Sequence, residues 1–208
     1  METGRLETFA DGVFAIAATL LILNVDVSCE TPCDLRAQVL HAWPSYVAYA
    51  ASFVTMGIIW ANHHTVMNQI GRADRTFLML TVLFLMVVAF VPFPTRLVAE
   101  HIGDPLIANE RTAVAVYGIT FTLTAVMFNV VWFYASRGGR LLRADADPRV
   151  VRGISRTFVV GPWVYLGLTL AALISPKVGA IGFLLFALFW VIESSVFGRD
   201  RDVRDLEQ

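Results

Sequence analysis

Six long apolar runs, nearly empty of charge, dominate this sequence and leave few folds open to it. They cover residues 9–25, 43–64, 76–91, 112–134, 157–174 and 178–196. A helix needs about 18 apolar residues to cross the hydrocarbon core of a bilayer. There it satisfies every backbone polar group within its own segment. The fold class these runs predict is all-α: one domain over residues 1–208, built of six membrane-spanning helices. Charged residues make up 16% of the chain, against roughly 25% in a soluble domain, and they gather between the runs. The third run is short, and Pro92-Phe93-Pro94-Thr95 is expected to carry it to the interface as a distorted helix end. The first run is longer than the apolar part of a signal peptide and no A-x-A-like site follows it, so it is expected to stay in the mature chain.

Lysine and arginine set the orientation, because cytoplasmic loops retain positive charge. With the N-terminus inside, twelve cations fall on the cytoplasmic side: Arg5, Arg72, Arg75, Arg137, Arg140, Arg143, Arg149, Arg152, Arg156, Arg199, Arg201 and Arg204. Four fall outside: Arg36, Arg96, Arg111 and Lys177. That excess decides the orientation, and six spans return the C-terminus to the cytoplasm. The basic stretch 137–156 is expected to lie against anionic lipid headgroups, and the 199–208 tail reads as a solvated end. Cys29 and Cys33 fall in the first outer loop, where either a local disulfide or two free thiols suits C-x3-C around Pro32.

Ionisable residues inside a span are costly and each needs an account. Asp11 lies about one turn into the first run, His63 and His64 end the second, and Glu193 near the end of the sixth reads as an interfacial carboxylate. The first helix runs outward and the second inward, which places Arg5, Asp11, Trp60, Asn62, His63 and His64 in one cytoplasmic-side layer. Arg5 and Asp11 are about 120° apart around an ideal helix, so each needs a partner on a neighbouring helix. The histidines and Asn62 are the candidates. The layer reads as a polar lock between helices or, alternatively, as the proton relay of a secondary transporter. Adjacent histidines project about 100° apart and cannot clamp one ion, and no paired axial ligands for haem are present. No metal or other cofactor is expected. No G-x-S-x-G, H-E-x-x-H or Walker sequence occurs, so no enzyme is expected. Nor is there a basic patch or aromatic motif for nucleic acid. Gly161-Pro162 in the fifth run is the one candidate for a helix broken as in a transporter.

The run Arg5-Leu6-Glu7-Thr8-Phe9-Ala10-Asp11 resembles the R-x-x-x-F-S-D signature of the transmembrane protein 175 potassium-channel family, with Ala10 where the signature has serine. Trp60-Ala61-Asn62-His63-His64 and Pro92-Phe93-Pro94-Thr95 match patterns of its bacterial members. The resemblance implies a homotetramer around one central pore, lined by the first helix and lacking a T-V-G-Y-G filter, and this sequence contains no such loop. It implies potassium and other monovalent cations as permeant species, and the bacterial inner membrane as the location. By position it makes Ile16 the narrow hydrophobic constriction, continued outward by Leu20 and Leu23. It makes Thr19 a hydroxyl layer that favours potassium.

The residues allow that picture on their own terms. On an ideal helix Ile16, Leu20 and Leu23 fall within about 60° of one another, while Asp11 points about 140° away from Ile16. Gly12 and Thr19 flank the stripe. Such a stripe is equally the outer surface of a helix facing lipid. Asn24 and Asp26 end the first helix, where Asp26 at a pore mouth would raise the local cation concentration.

Overall fold

A computed structural model describes residues 3–27 and 34–205, with side chains described as far as residue 190. Cys29 and Cys33 lie outside the described residues, as do the side chain of Glu193 and the tail arginines. Among the described residues the elements are helices: α1 (Gly4–Leu20), closed by a 3-10 turn at Leu21–Asn24, then α2 (Leu35–His41), α3 (Trp43–Met67), α4 (Arg75–Phe90), α5 (Pro92–His101), α6 (Ile107–Ser136), α7 (Pro148–Ile174) and α8 (Pro176–Asp205).

Four of the six apolar runs sit inside a helix, while 9–25 and 76–91 end one residue past the 3-10 turn after α1 and past α4 respectively. Among the described residues, four segments are long and apolar enough to cross a membrane: Gly4–Asn24, Arg75–His101, Ile107–Gly139 and Pro148–Ile174. α3 has the length, 25 residues, but carries Ser52, Thr55, Asn62, His63 and His64 along it. The apolar part of α8, Pro176–Trp190, is shorter.

The expected distorted helix end at Pro92-Phe93-Pro94-Thr95 is instead the first turn of a new helix. Val91 keeps helical φ/ψ of −52° and −38°, and Pro92 takes the first helical position, where its missing N–H is no loss. The Val91 N–H tightens onto Val88 O at 3.1 Å, which marks the joint. The short α2 was not foreseen; Asp34 caps it by accepting from the Ala37 N–H at 3.2 Å.

α6 packs against α4, α5, α7 and α8, whereas α1 packs against α3 and α4. The shared core is aromatic, with Phe14, Phe77, Phe84, Phe121, Phe128 and Trp132 all buried. Helices approach closely where residues are small. A Cβ on Gly118 of α6 would collide with Thr169 of α7 and Phe183 of α8, and one on Gly179 would strike Ala172.

The Gly161-Pro162 pair does not break α7, which continues through Pro162 to Ile174. Proline removes the N–H that the Phe158 carbonyl would normally accept. Asn129 of α6 supplies the replacement, its Nδ2 donating to Phe158 O at 2.9 Å.

The loops that follow α3 and α6 are zipped together. Ile70 and Leu142 form an antiparallel bridge, Gly71 N–H donates to Leu141 O at 2.9 Å, and Arg143 N–H donates to Gln69 O at 2.9 Å. The Arg72 guanidinium donates twice to Arg140 O, at 3.1 and 2.8 Å.

Candidate pore face and its polar supports

α1 has two unlike sides. Leu6, Ala10, Phe14, Ala17 and Leu21, at helical spacing, are buried against α3 and α4. Facing away from that seam, Ile16 is 62% exposed, Leu20 42% and Leu23 72%. Gly12 lies on the same side, and a Cβ added there would meet nothing. Phe9, seven residues before Ile16 and so on the same face, is also exposed and extends the apolar line inward. Periodicity from Ile16 was the signal for it.

Thr19 is exposed on the flank of this stripe, and its hydroxyl donates to Ile16 O at 2.9 Å. A hydroxyl has one proton and two lone pairs. With the proton spent on its own helix, the oxygen presents only acceptor character outward, the polarity a cation requires. Asp26 is exposed beyond the helix end. Asn24 is half-buried, and its amide donates to Pro92 O at 2.9 Å, tying the C-terminal end of the first helix to the α4–α5 joint. The Thr95 hydroxyl, one turn into α5, shares its single proton between Val91 O and Ser52 Oγ, each at 2.9 Å, and Ser52 shares a 3.1 Å hydrogen bond with the Tyr117 hydroxyl. That buried hydroxyl chain, absent from the sequence reading, links α5, α3 and α6.

The polar residues expected to form one layer divide into separate contacts. Asp11 accepts from Trp60 Nε1 at 2.8 Å. Its neighbour one turn earlier, Glu7, lies 3.2 Å from His64 Nδ1, and His64 stacks on Trp60 with ring centroids 6.2 Å apart. Two i,i+4 pairs on antiparallel helices thus face each other, Glu7/Asp11 opposite His64/Trp60. Glu7 was missed, although its spacing from Asp11 matches that of Trp60 from His64. His63 is turned into the core, stacked on Phe84 at 5.9 Å and beside Phe14 at 5.7 Å, its Nε2 buried without a hydrogen-bond partner. Asn62 lines a different cavity, with Phe121, Thr124, Phe128 and Asn129. Arg5 belongs to α1, is exposed, and has no partner among the described residues. No continuous hydrogen-bonded path joins Asp11 to His63 among the described residues, and none contain a cluster of metal ligands.

The family profile of the endosomal/lysosomal potassium channel TMEM175 matches residues 5–92. A potassium channel of Chamaesiphon minutus is 41% identical over 168 residues, covering 79% of this chain and 81% of that one. The chain belongs to the TMEM175 family. A Streptomyces collinus potassium channel is 40% identical over 165 residues, with 79% of each chain covered. The crystal structure of a lysosomal potassium-selective channel TMEM175 homologue from Chamaesiphon minutus superposes with a TM-score of 0.83 at 35% identity, covering 93% of this chain and 98% of that one. The chain is therefore a multi-pass membrane protein with the TMEM175 channel fold and not an enzyme. Residues 5–92 hold every site residue described on α1 and α3, so the family match and the exposed α1 face coincide.

Proposed function

We propose that this chain forms a potassium-permeable cation channel, conducting passively along the axis of a homotetramer lined by α1. The observation that carries the reading is the exposed Ile16, Thr19, Leu20 and Leu23 face of a helix whose other side is sealed into the protomer. Membership of the TMEM175 family and relatives named as potassium channels support the permeant ion. Six crossings are assigned to α1, α3, α4–α5, α6, α7 and α8, with both termini in the cytoplasm. The twelve-to-four placement of cations supports that orientation, and a bacterial inner membrane is the location it fits.

Four Ile16 side chains around a narrow axis would expel water and raise the barrier to any ion. Opening then requires the α1 helices to rotate or spread until a partly hydrated cation fits. Thr19 oxygens replace some of its hydration, and Asp26 gathers cations at the outer mouth. The Trp60–Asp11 and His64–Glu7 contacts hold α1 against α3 and fix which face it turns to the axis. Potassium is the permeant species, and the reading needs no cofactor. The test is flux in liposomes holding the purified protein under a potassium gradient. Passive potassium uptake exceeding sodium uptake is expected; uptake only when a proton gradient is imposed would instead make the protein a coupled transporter.

A further inference from the structure

The basic stretch at the cytoplasmic surface is not uniform. Arg140 lies 3.5 Å from Asp74, and Arg143 pairs with Asp145 at 3.1 Å, so both are committed within the protein. Arg149, Arg152 and Arg156 are exposed and make no ion pair or side-chain hydrogen bond among the described residues. At intervals of three and four they share one face of α7, within about 60° on an ideal helix. Like charges at this spacing repel. They also sit in the first turns of a 27-residue helix, where the macrodipole is positive and cations are disfavoured. Asp147, which caps the helix by accepting the Arg149 N–H at 2.7 Å, is one carboxylate set against three guanidinium groups.

Along the same face the arginines give way to exposed Val160, Trp163 and Leu170, while Phe158, Thr169 and Ala172 on the opposite side are buried. α7 packs on α6 and α8, whereas α1 packs on α3 and α4. A basic end running directly into an apolar stripe matches a molecule with an anionic head and an acyl tail. We propose that the cytoplasmic end of α7 is a binding site for an anionic phospholipid, with Arg149, Arg152 and Arg156 on its phosphate and the Val160–Trp163–Leu170 stripe against its acyl chain. This surface does not depend on the pore reading.

Free phosphate shares the headgroup chemistry but not the chain, which gives the test its arms. Purified full-length protein in detergent is titrated with phosphatidylglycerol, phosphatidylcholine or inorganic phosphate, and thermal unfolding is followed. Phosphatidylglycerol is expected to raise the midpoint at concentrations where the other two do not, with the rise shrinking in high salt. The triple variant R149Q/R152Q/R156Q should need roughly tenfold or more phosphatidylglycerol for half the effect. Arg111→Gln, an exposed arginine on α6, should match wild type. If the triple variant does not fold, Arg152→Gln alone should still show a smaller displacement. Equal responses to both lipids, an unchanged titration in the variants, or a full effect of inorganic phosphate would each overturn the proposal. A triple variant less stable before any lipid is added, yet unchanged in its lipid response, would assign the arginines to contacts within the chain and overturn it too.

Discussion

Thr19 and Asn129 do opposite things with the same kind of polar group. Thr19 closes its proton onto Ile16 O and leaves acceptor oxygen facing out. Thr19→Ala should therefore leave assembly intact and lower the potassium-to-sodium permeability ratio, read from reversal potentials under bi-ionic conditions. Asn129 turns inward and repairs the carbonyl that Pro162 orphans. Asn129→Leu removes that donor beside buried Phe158 and should cost about 1–3 kcal/mol of stability, measured by unfolding in detergent. Trp60→Phe, which keeps the ring but deletes the donor to Asp11, should cost about 1 kcal/mol in the same assay. Sequence reasoning found Gly161-Pro162 as the one candidate for a broken helix. Nothing in the sequence places Asn129 beside it, because that contact spans 29 residues and exists only once α6 and α7 pack. Trp60 was legible as part of a polar layer, but its pairing with Asp11 was not; the histidines and Asn62 were the expected partners, and the faces of α3 give Asp11 to Trp60 instead.

At the scale of elements, capping and joints matter most. Asp74 starts α4 by accepting the Phe77 N–H at 2.8 Å and also accepts the Tyr134 hydroxyl at 2.8 Å. These bonds, the backbone one foremost, with Arg140 nearby, hold its carboxyl below the usual carboxylate range. Its folded pKa is depressed, so its contribution is fully present above the ordinary aspartate pKa and is lost as pH falls through the lower, folded value. Thermal stability should thus be insensitive to Asp74 ionisation near neutrality and fall in strong acid, and Asp74→Asn should flatten that part of the acid profile. The α4–α5 joint was visible in the sequence as a proline cluster, yet its continuation to His101 was not, because Val91 stays helical ahead of a proline that usually discourages it. Asn24→Ala should free the outer end of α1 from Pro92 O and change single-channel conductance while leaving the fold intact.

For the whole molecule, the all-helical fold was legible because hydrophobicity is a property of each segment alone. Which side of α1 is buried was legible only in part. Its stripe of Ile16, Leu20 and Leu23 was read correctly as one face, but a lipid-facing and an axis-facing helix carry the same pattern. The protomer shows that this face is left open by α3 and α4; the proposed tetramer is what closes it. The most direct measurement is potassium and sodium flux through the purified protein in liposomes, comparing wild type with Ile16→Asn. The account predicts that the polar side chain wets the constriction, raising flux severalfold and weakening the preference for potassium, with the oligomer unchanged. Flux and selectivity equal to wild type in a normally assembled Ile16→Asn protein would contradict a pore lined by this face of α1.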